Sequence, residues 1–332
     1  TPSKEGEMGK LKFGTGTWIY GTVGDRYLLG GYRQGLDIFE RIKLISGIEG
    51  VSGIEVIYPA DFGPGIDEVG EVINRAGLDC AIVGVDLTGD PGFKFGTYSS
   101  KDPAIREKAV NLTRQTIDVA LALGADRINI WPGEDGHDYP FQVDYLESWE
   151  NFRDCLVNIA EYRAGVKVCI EYKLREPRVR SLISTVGKAL LMCQETGRDD
   201  VGVTIDVGHS LQAGENMSES VVMLAHSGRL FHFHLNDNYR GWDDDMVVGS
   251  VHLVEFLELM YTLRKVGFDD WMSVDVYPYR EDPAKVVEES VEFVKGLDAL
   301  LDRIGTEAID RALAGDDPVA VLSMIREEIL PT

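Results

Sequence analysis

The feature that most constrains this chain is a strict alternation. Short apolar runs rich in β-branched residues are each followed by a longer segment whose apolar side chains recur at helical spacing. Strands are predicted over 11–18, 53–58, 79–86, 126–131, 166–172, 201–206, 230–235 and 271–276. Helical patterns fall near 34–47, 65–77, 101–123, 147–164, 180–197, 217–227, 250–266 and 283–301. Pro103, after Ser100-Lys-Asp, and Pro283, after Asp282, mark helix starts, because the first turn has no use for the N–H that proline lacks. Eight such units in 332 residues predict an α/β fold, a closed (β/α)8 barrel rather than an open doubly wound sheet. No Gly-x-Gly-x-x-Gly follows the first strand, which argues against a dinucleotide fold, and Gly14-Thr-Gly16 reads as close backbone packing. The barrel is assigned to residues 1–302. Residues 303–332 form a C-terminal helical extension whose apolar stripe is predicted to pack on the barrel or on another subunit.

Charge narrows the partners. The chain has 56 acids against 33 bases, a formal net charge of −23. A field of that sign repels phosphate backbones, so nucleic acid is excluded as a partner, while neutral substrates and divalent cations are suited to it. No apolar run approaches the length of a membrane span, and the polar start at residues 1–7 lacks the apolar core of a secretory signal. Cys80, Cys155, Cys169 and Cys193 show no Cys-x-x-Cys spacing and sit in apolar segments. They read as free thiols of a cytoplasmic protein.

Chemistry gathers at strand ends, where barrels present their working groups. Alternation puts His232 and His234 on one face of the seventh strand, a pair that serves either as core or as ligands. Glu171 ends the fifth strand, Asp206 with His209 ends the sixth, and Asp275 lies on the eighth. Acids buried together without cations would repel one another and be forced to protonate. We therefore expect one divalent cation among Glu171, Asp206, His234 and Asp275. A second is expected on Asp206 as a bridge, with His209, Asp243 and Asp245, while Asp244 points to solvent. Oxygen-dominated ligation favours Mn²⁺, with Mg²⁺ or Co²⁺ as alternatives, one or two per subunit.

These motifs resemble the xylose isomerase-like superfamily of metal-dependent sugar isomerases and epimerases. The resemblance spans nearly the whole barrel. It runs through Phe13-Gly-Thr-Gly-Thr-Trp18, Trp131-Pro-Gly-Glu-Asp-Gly136, Glu171-x-Lys173, Asp206-x-x-His209, Asp243-x-Asp245 and Asp275-Val-Tyr-Pro-Tyr-Arg280. It implies a TIM barrel, two metals and a homo-oligomer, dimer or tetramer, formed through the C-terminal extension. The implied reaction is aldose–ketose isomerisation of an unphosphorylated monosaccharide by metal-assisted hydride shift, with Lys173 assisting at the carbonyl. Glu171 and Asp275 would be the acid and base of an enediolate epimerase, and a C-glycoside deglycosidase-like lyase is a third possibility. Trp18, Trp131, His209 and Arg240 are expected to contact substrate. Xylose isomerases carry a ring-opening His-x-x-Asp after the second strand, where this chain has Val56-Ile-Tyr-Pro-Ala-Asp61 without a histidine. His137 is the candidate to replace it. Asp206 and His234 bring the ligand set nearer to L-rhamnose isomerase and the ketose epimerases.

Overall fold

The computed structural model describes residues 11–330, so the polar start at 1–7 lies outside the described residues. Eight parallel strands close into a barrel: β1 (Lys12–Gly16), β2 (Val51–Tyr58), β3 (Asp79–Val85), β4 (Arg127–Ile130), β5 (Lys167–Glu171), β6 (Val201–Asp206), β7 (Leu230–Leu235) and β8 (Trp271–Val274), with β8 pairing back onto β1. Such strands are covered on both faces and so read as apolar runs; every residue of β6 is buried. The enclosing helices are α1 (Ile38–Ile45), α2 (Ile66–Ala76), α3 (Pro103–Ala122), α4 (Tyr145–Ala160), α5 (Val186–Glu195), α6 (Val207–Gln212), α7 (Met217–His226), α8 (Leu253–Val266) and α9 (Pro283–Ile304). Asp102, Asp144, Thr185, Asn216 and Asp282 cap their helices by accepting first-turn N–H groups that would otherwise lack partners.

Two local features depart from the expected pattern. Gly136–His137, Arg175–Glu176 and Val179–Ser181 pair into a small antiparallel sheet, so the helix expected from 180 begins only at Val186. The short α6 follows β6 directly, because Asp206 caps it by accepting His209 N–H at 2.9 Å. Beyond the barrel, α10 (Thr306–Ala314) and α11 (Pro318–Ile329) fold back on α9 and bury Ile309, Ala312 and Ile325. Their outer faces leave Leu313, Val319 and Leu322 exposed.

Strand register sets the working layer. His234 is the register partner of Asp206 on one side and of Ser273 on the other, and Asp275 N–H donates to Leu235 O at 3.0 Å. The carboxylates and imidazole at the ends of β6, β7 and β8 are thereby brought to one rim. Among the described residues no helix is long and apolar enough to cross a membrane.

Candidate metal centre

One donor atom from each of Glu171, Asp206, His234 and Asp275 lies within 4.8 Å of the other three. His234 Nδ1 is 3.1 Å from Asp275 Oδ2 and 3.4 Å from Glu171 Oε1. Each acid is held from outside the centre. Asn129 Nδ2 donates to Glu171 Oε2 at 2.5 Å, and its own Oδ1 accepts the Thr204 hydroxyl at 2.7 Å. Trp18 Nε1 donates to Asp275 Oδ1 at 2.7 Å, and Asn236 Nδ2 donates to Asp206 Oδ2 at 2.9 Å. On the inner side Glu171 Oε1 and Asp275 Oδ2 face His234 Nδ1, while both oxygens of Asp206 also accept N–H groups of Asn236 or His209.

Asp206, His209 and Asp243 form a second converging set. His209 Nδ1 is 2.8 Å from the Tyr172 carbonyl, which fixes the proton there and turns Nε2 inward, 3.1 Å from Asp243 Oδ2. The Lys173 ammonium lies 2.7 Å from the same Asp243 oxygen and 2.6 Å from Glu176 Oε2. Asp245 lines the cavity beside this set, but its carboxylate stands outside the three-residue cluster.

Burial and mutual repulsion set the charge states of these groups. Burial pushes Asp206 up to about 7, reinforced by Asp243, Asp275 and Glu171 against the pull of His209. Burial and the charge of Asp243 raise Asp245 well above the carboxylate range. Burial would lower His209, yet Asp206 and Asp243 outweigh it and carry the imidazole up to about 9. Burial would raise Glu171 and Asp243 as well; His234 holds the first below its ordinary value, and His209 with Lys173 holds the second. Oxygen-rich, crowded and buried, both donor sets fit a hard or borderline divalent cation.

A cavity of about 470 Å³ opens over the two sets, walled by Trp18 and Trp131 with Trp242, Tyr277 and Tyr279. Both expected tryptophans are seated on glycine. A Cβ on Gly16 would come within 2.3 Å of the Trp18 ring, and one on Gly133 within 2.4 Å of the Trp131 ring. Lys173 Nζ lies 5.3 Å over the Trp131 ring, within cation–π reach.

Two expected site residues stand elsewhere. His137 pairs with Arg180 in the small antiparallel sheet, sits edge-on to Tyr145 and lines a different cavity with Trp149 and Lys188. The cause is Asp135, whose carboxylate accepts Thr97 N–H at 2.9 Å and Ser99 N–H at 2.7 Å and ties the loop to its neighbour before His137. Arg240 adopts φ +64° and reaches outward, 3.5 Å from the Glu215 carbonyl and 3.7 Å from Glu255, in another cavity. Neither lines the mouth. Asp244 is half-buried and accepts Tyr239 N–H at 3.0 Å, away from the mouth.

Residues 44–297 match the family described as the xylose isomerase-like TIM barrel. The chain belongs to that family. Xylose isomerase of Thermus thermophilus is 27% identical over 288 residues, covering 82% of this chain and 74% of that one. The structure of an L-ribulose 3-epimerase superposes on this xylose isomerase-like barrel with a TM-score of 0.69 at 18% identity, covering 89% of this chain and 96% of that chain. A zinc-bound IOLI protein does so with a TM-score of 0.63 at 16% identity, covering 87% and 98%. At those identities the superpositions show the fold.

Residues that sequence reasoning missed line the same cavity: Glu55, Asn129 and Glu176. Glu55 and Asn129 each carried a usable signal. Each is a polar residue inside an apolar strand covered on both faces, where it must have a buried partner.

Proposed function

We propose that this barrel interconverts the aldose and ketose forms of an unphosphorylated monosaccharide or close derivative, with divalent cations, Mn²⁺ foremost, as cofactor. The observation that carries the reading is the convergence of two donor sets on one shared carboxylate, Asp206, with Lys173 held beside them. Glu171, Asp206, His234 and Asp275 would hold one cation, and Asp206, His209 and Asp243, with Asp245 alongside, the other. Bound there, a divalent cation would supply a Lewis acid for neighbouring sugar oxygens and a more acidic water.

The chain's own groups supply the rest. Lys173 is buried, fixed by Asp243 and Glu176, and would donate to the sugar oxygen that gains charge as hydrogen moves between neighbouring carbons. Trp18 and Trp131 would pack on the sugar and keep water from it. Trp18 also donates to Asp275 Oδ1 and would thereby orient that carboxylate for a ligand role. The oligomer is assigned to the exposed Leu313, Val319 and Leu322 of α10 and α11, and the four free thiols fit a reducing cytoplasm.

A panel of hexoses and pentoses, assayed with Mn²⁺, Co²⁺ and Mg²⁺ beside a chelated control, tests this. Turnover of an aldose–ketose pair that chelator abolishes is expected; no such turnover with any cation restored would sink the reading. A second reading, ketose epimerisation, is favoured by one observation: Glu171 and Asp275 flank His234 Nδ1 in the same cavity, as an acid–base pair could. Substrate deuterium separates the two. Retention in the product marks direct transfer, and exchange with solvent marks an enediolate.

A further inference from the structure

Beneath the mouth, inside the barrel, lies a buried group that the proposed chemistry does not use. Glu55 on β2 projects across the barrel to β7, where its two oxygens meet two imidazoles. Oε1 is 2.6 Å from His232 Nε2, and Oε2 is 3.1 Å from His234 Nε2. All three side chains are essentially inaccessible, with exposures of 1%, 0% and 1% for Glu55, His232 and His234. The two rings stand nearly perpendicular, with an interplanar angle of 86°.

We infer that Glu55 is a positioning residue for the metal centre, holding the Nε2–H of His234 so that its Nδ1 is presented to the cation beside Glu171 and Asp275, with His232 fixing the carboxylate from the far side. The inference rests on the metal reading above and adds a residue to it. Three observations lead here. A carboxylate has no proton of its own to give, so both contacts are N–H donations from the imidazoles. With Nε2 of His234 committed as donor, the neutral ring keeps its lone pair on Nδ1, the nitrogen 3.1 Å from Asp275 and 3.4 Å from Glu171. Among the described residues His232 Nδ1 is buried without a hydrogen-bond partner, so the polar contact of its ring found there is the one to Glu55.

The same geometry divides the histidine pair by role. His234 bridges the inner layer and the mouth, whereas His232 stays one layer down and reaches only Glu55. Glu55, His232 and His234 have donor atoms close enough to suggest a cation of their own. The spacings of 2.6 and 3.1 Å are those of hydrogen bonds between the donor atoms themselves, which leaves no place between them for an ion. A carboxylate behind a ligating imidazole fixes the ring's tautomer and orientation and makes the ring a better donor.

The test measures cation binding, not turnover. Mn²⁺ is titrated into metal-free wild type, Glu55→Gln, Glu55→Leu and His232→Phe, following free Mn²⁺ by electron paramagnetic resonance. Zn²⁺-loaded wild type and variants carrying ¹⁵N-histidine report the His234 tautomer. Wild type is expected to show His234 protonated at Nε2. Glu55→Leu is expected to bind Mn²⁺ about 10–100-fold more weakly and to lose that tautomer signature. Glu55→Gln, which keeps one acceptor oxygen but no charge, is expected to lose about tenfold. His232→Phe is expected to lose less than either, with unchanged stoichiometry. If Glu55→Leu fails to fold, judged by circular dichroism, Glu55→Gln decides. A folded Glu55 variant binding Mn²⁺ within about twofold of wild type, below the roughly 10–100-fold loss expected for such partners, overturns the positioning role and leaves the metal centre standing. Wild type that takes up no Mn²⁺ instead removes the metal reading, and the positioning role with it.

Discussion

Lys173 Nζ lies 2.7 Å from Asp243 Oδ2, the oxygen that also faces His209 Nε2 at 3.1 Å. One carboxylate oxygen thus joins the buried ammonium to the second donor set. Replacing Lys173 by Met keeps the length of the side chain and removes its charge. The proposed donor at the carbonyl disappears, and kcat is expected to fall by about 10²–10³-fold, the usual cost of one such donor. Cation content should hold or rise, because a positive neighbour has been removed. Kinetics and metal analysis on the same preparation separate a lost donor from a lost metal. Arginine should not rescue: its planar fork does not fit a pocket where single oxygens of Asp243 and Glu176 close on one nitrogen at 2.7 and 2.6 Å.

Trp18 acts through its indole N–H as well as its ring. Trp18→Phe keeps much of the apolar wall and deletes the 2.7 Å bond to Asp275 Oδ1. A hydrogen bond to a charged group contributes about 1.5–3 kcal/mol, so kcat/KM and Mn²⁺ affinity should each fall about 10–100-fold. Equal affinities for wild type and variant would show that Asp275 keeps its orientation without the indole.

The barrel was legible because its evidence is periodic: each strand is an apolar run and each helix an amphipathic repeat, and both survive being read alone. The gathering of the candidate donors was legible for a related reason. Glu171, Asp206, His234 and Asp275 end consecutive strands, so chain order already placed them at one rim. The positions of His137 and Arg240, in cavities away from the mouth, were not legible because loops obey no period. The path after β4 is set by Asp135 accepting from Thr97 and Ser99, a contact 36 to 38 residues apart in sequence. The turn at Arg240 follows from the Asn238 side chain accepting Arg240 N–H at 2.8 Å. Glu55 went unread because its partners lie 177 and 179 residues away on β7, three strands round the barrel.

Gly208, in the first turn of α6, lets the Asn236 loop approach the helix. A Cβ there would fall 1.8 Å from Asn236 Oδ1 and 3.0 Å from Asn238 Nδ2. Asn236 holds Asp206 and Asn238 holds Asp243, so neither side chain can move without releasing a carboxylate of the centre. Gly208→Ala is expected to cost about 1–3 kcal/mol of stability, as overpacking does, and to weaken Mn²⁺ binding as well. Denaturant titration of the metal-free protein measures the first effect and Mn²⁺ titration the second.

The last prediction concerns protons displaced by the cation. In the metal-free protein His209 is raised from 6.5 to about 9 and Asp206 from 3.8 to about 7, burial opposing the first shift and driving the second. For His209, a raised folded value means stability fully present below its ordinary pKa and lost as pH rises through about 9. For Asp206, the folded state favours the protonated acid, so this contribution is present below the ordinary value and lost as pH rises through about 7. Both contributions therefore make the metal-free protein less stable on going from about pH 6 to about pH 8. A cation needs both groups deprotonated, so its binding expels protons and tightens over the same interval. The gap in melting temperature between Mn²⁺-loaded and chelated protein should therefore widen with pH. Calorimetry at neutral pH, in two buffers of different ionisation enthalpy, should register about one proton released per cation bound. A gap that stays constant with pH, with no buffer dependence of the heat, would mean that Asp206 and His209 are not ligands.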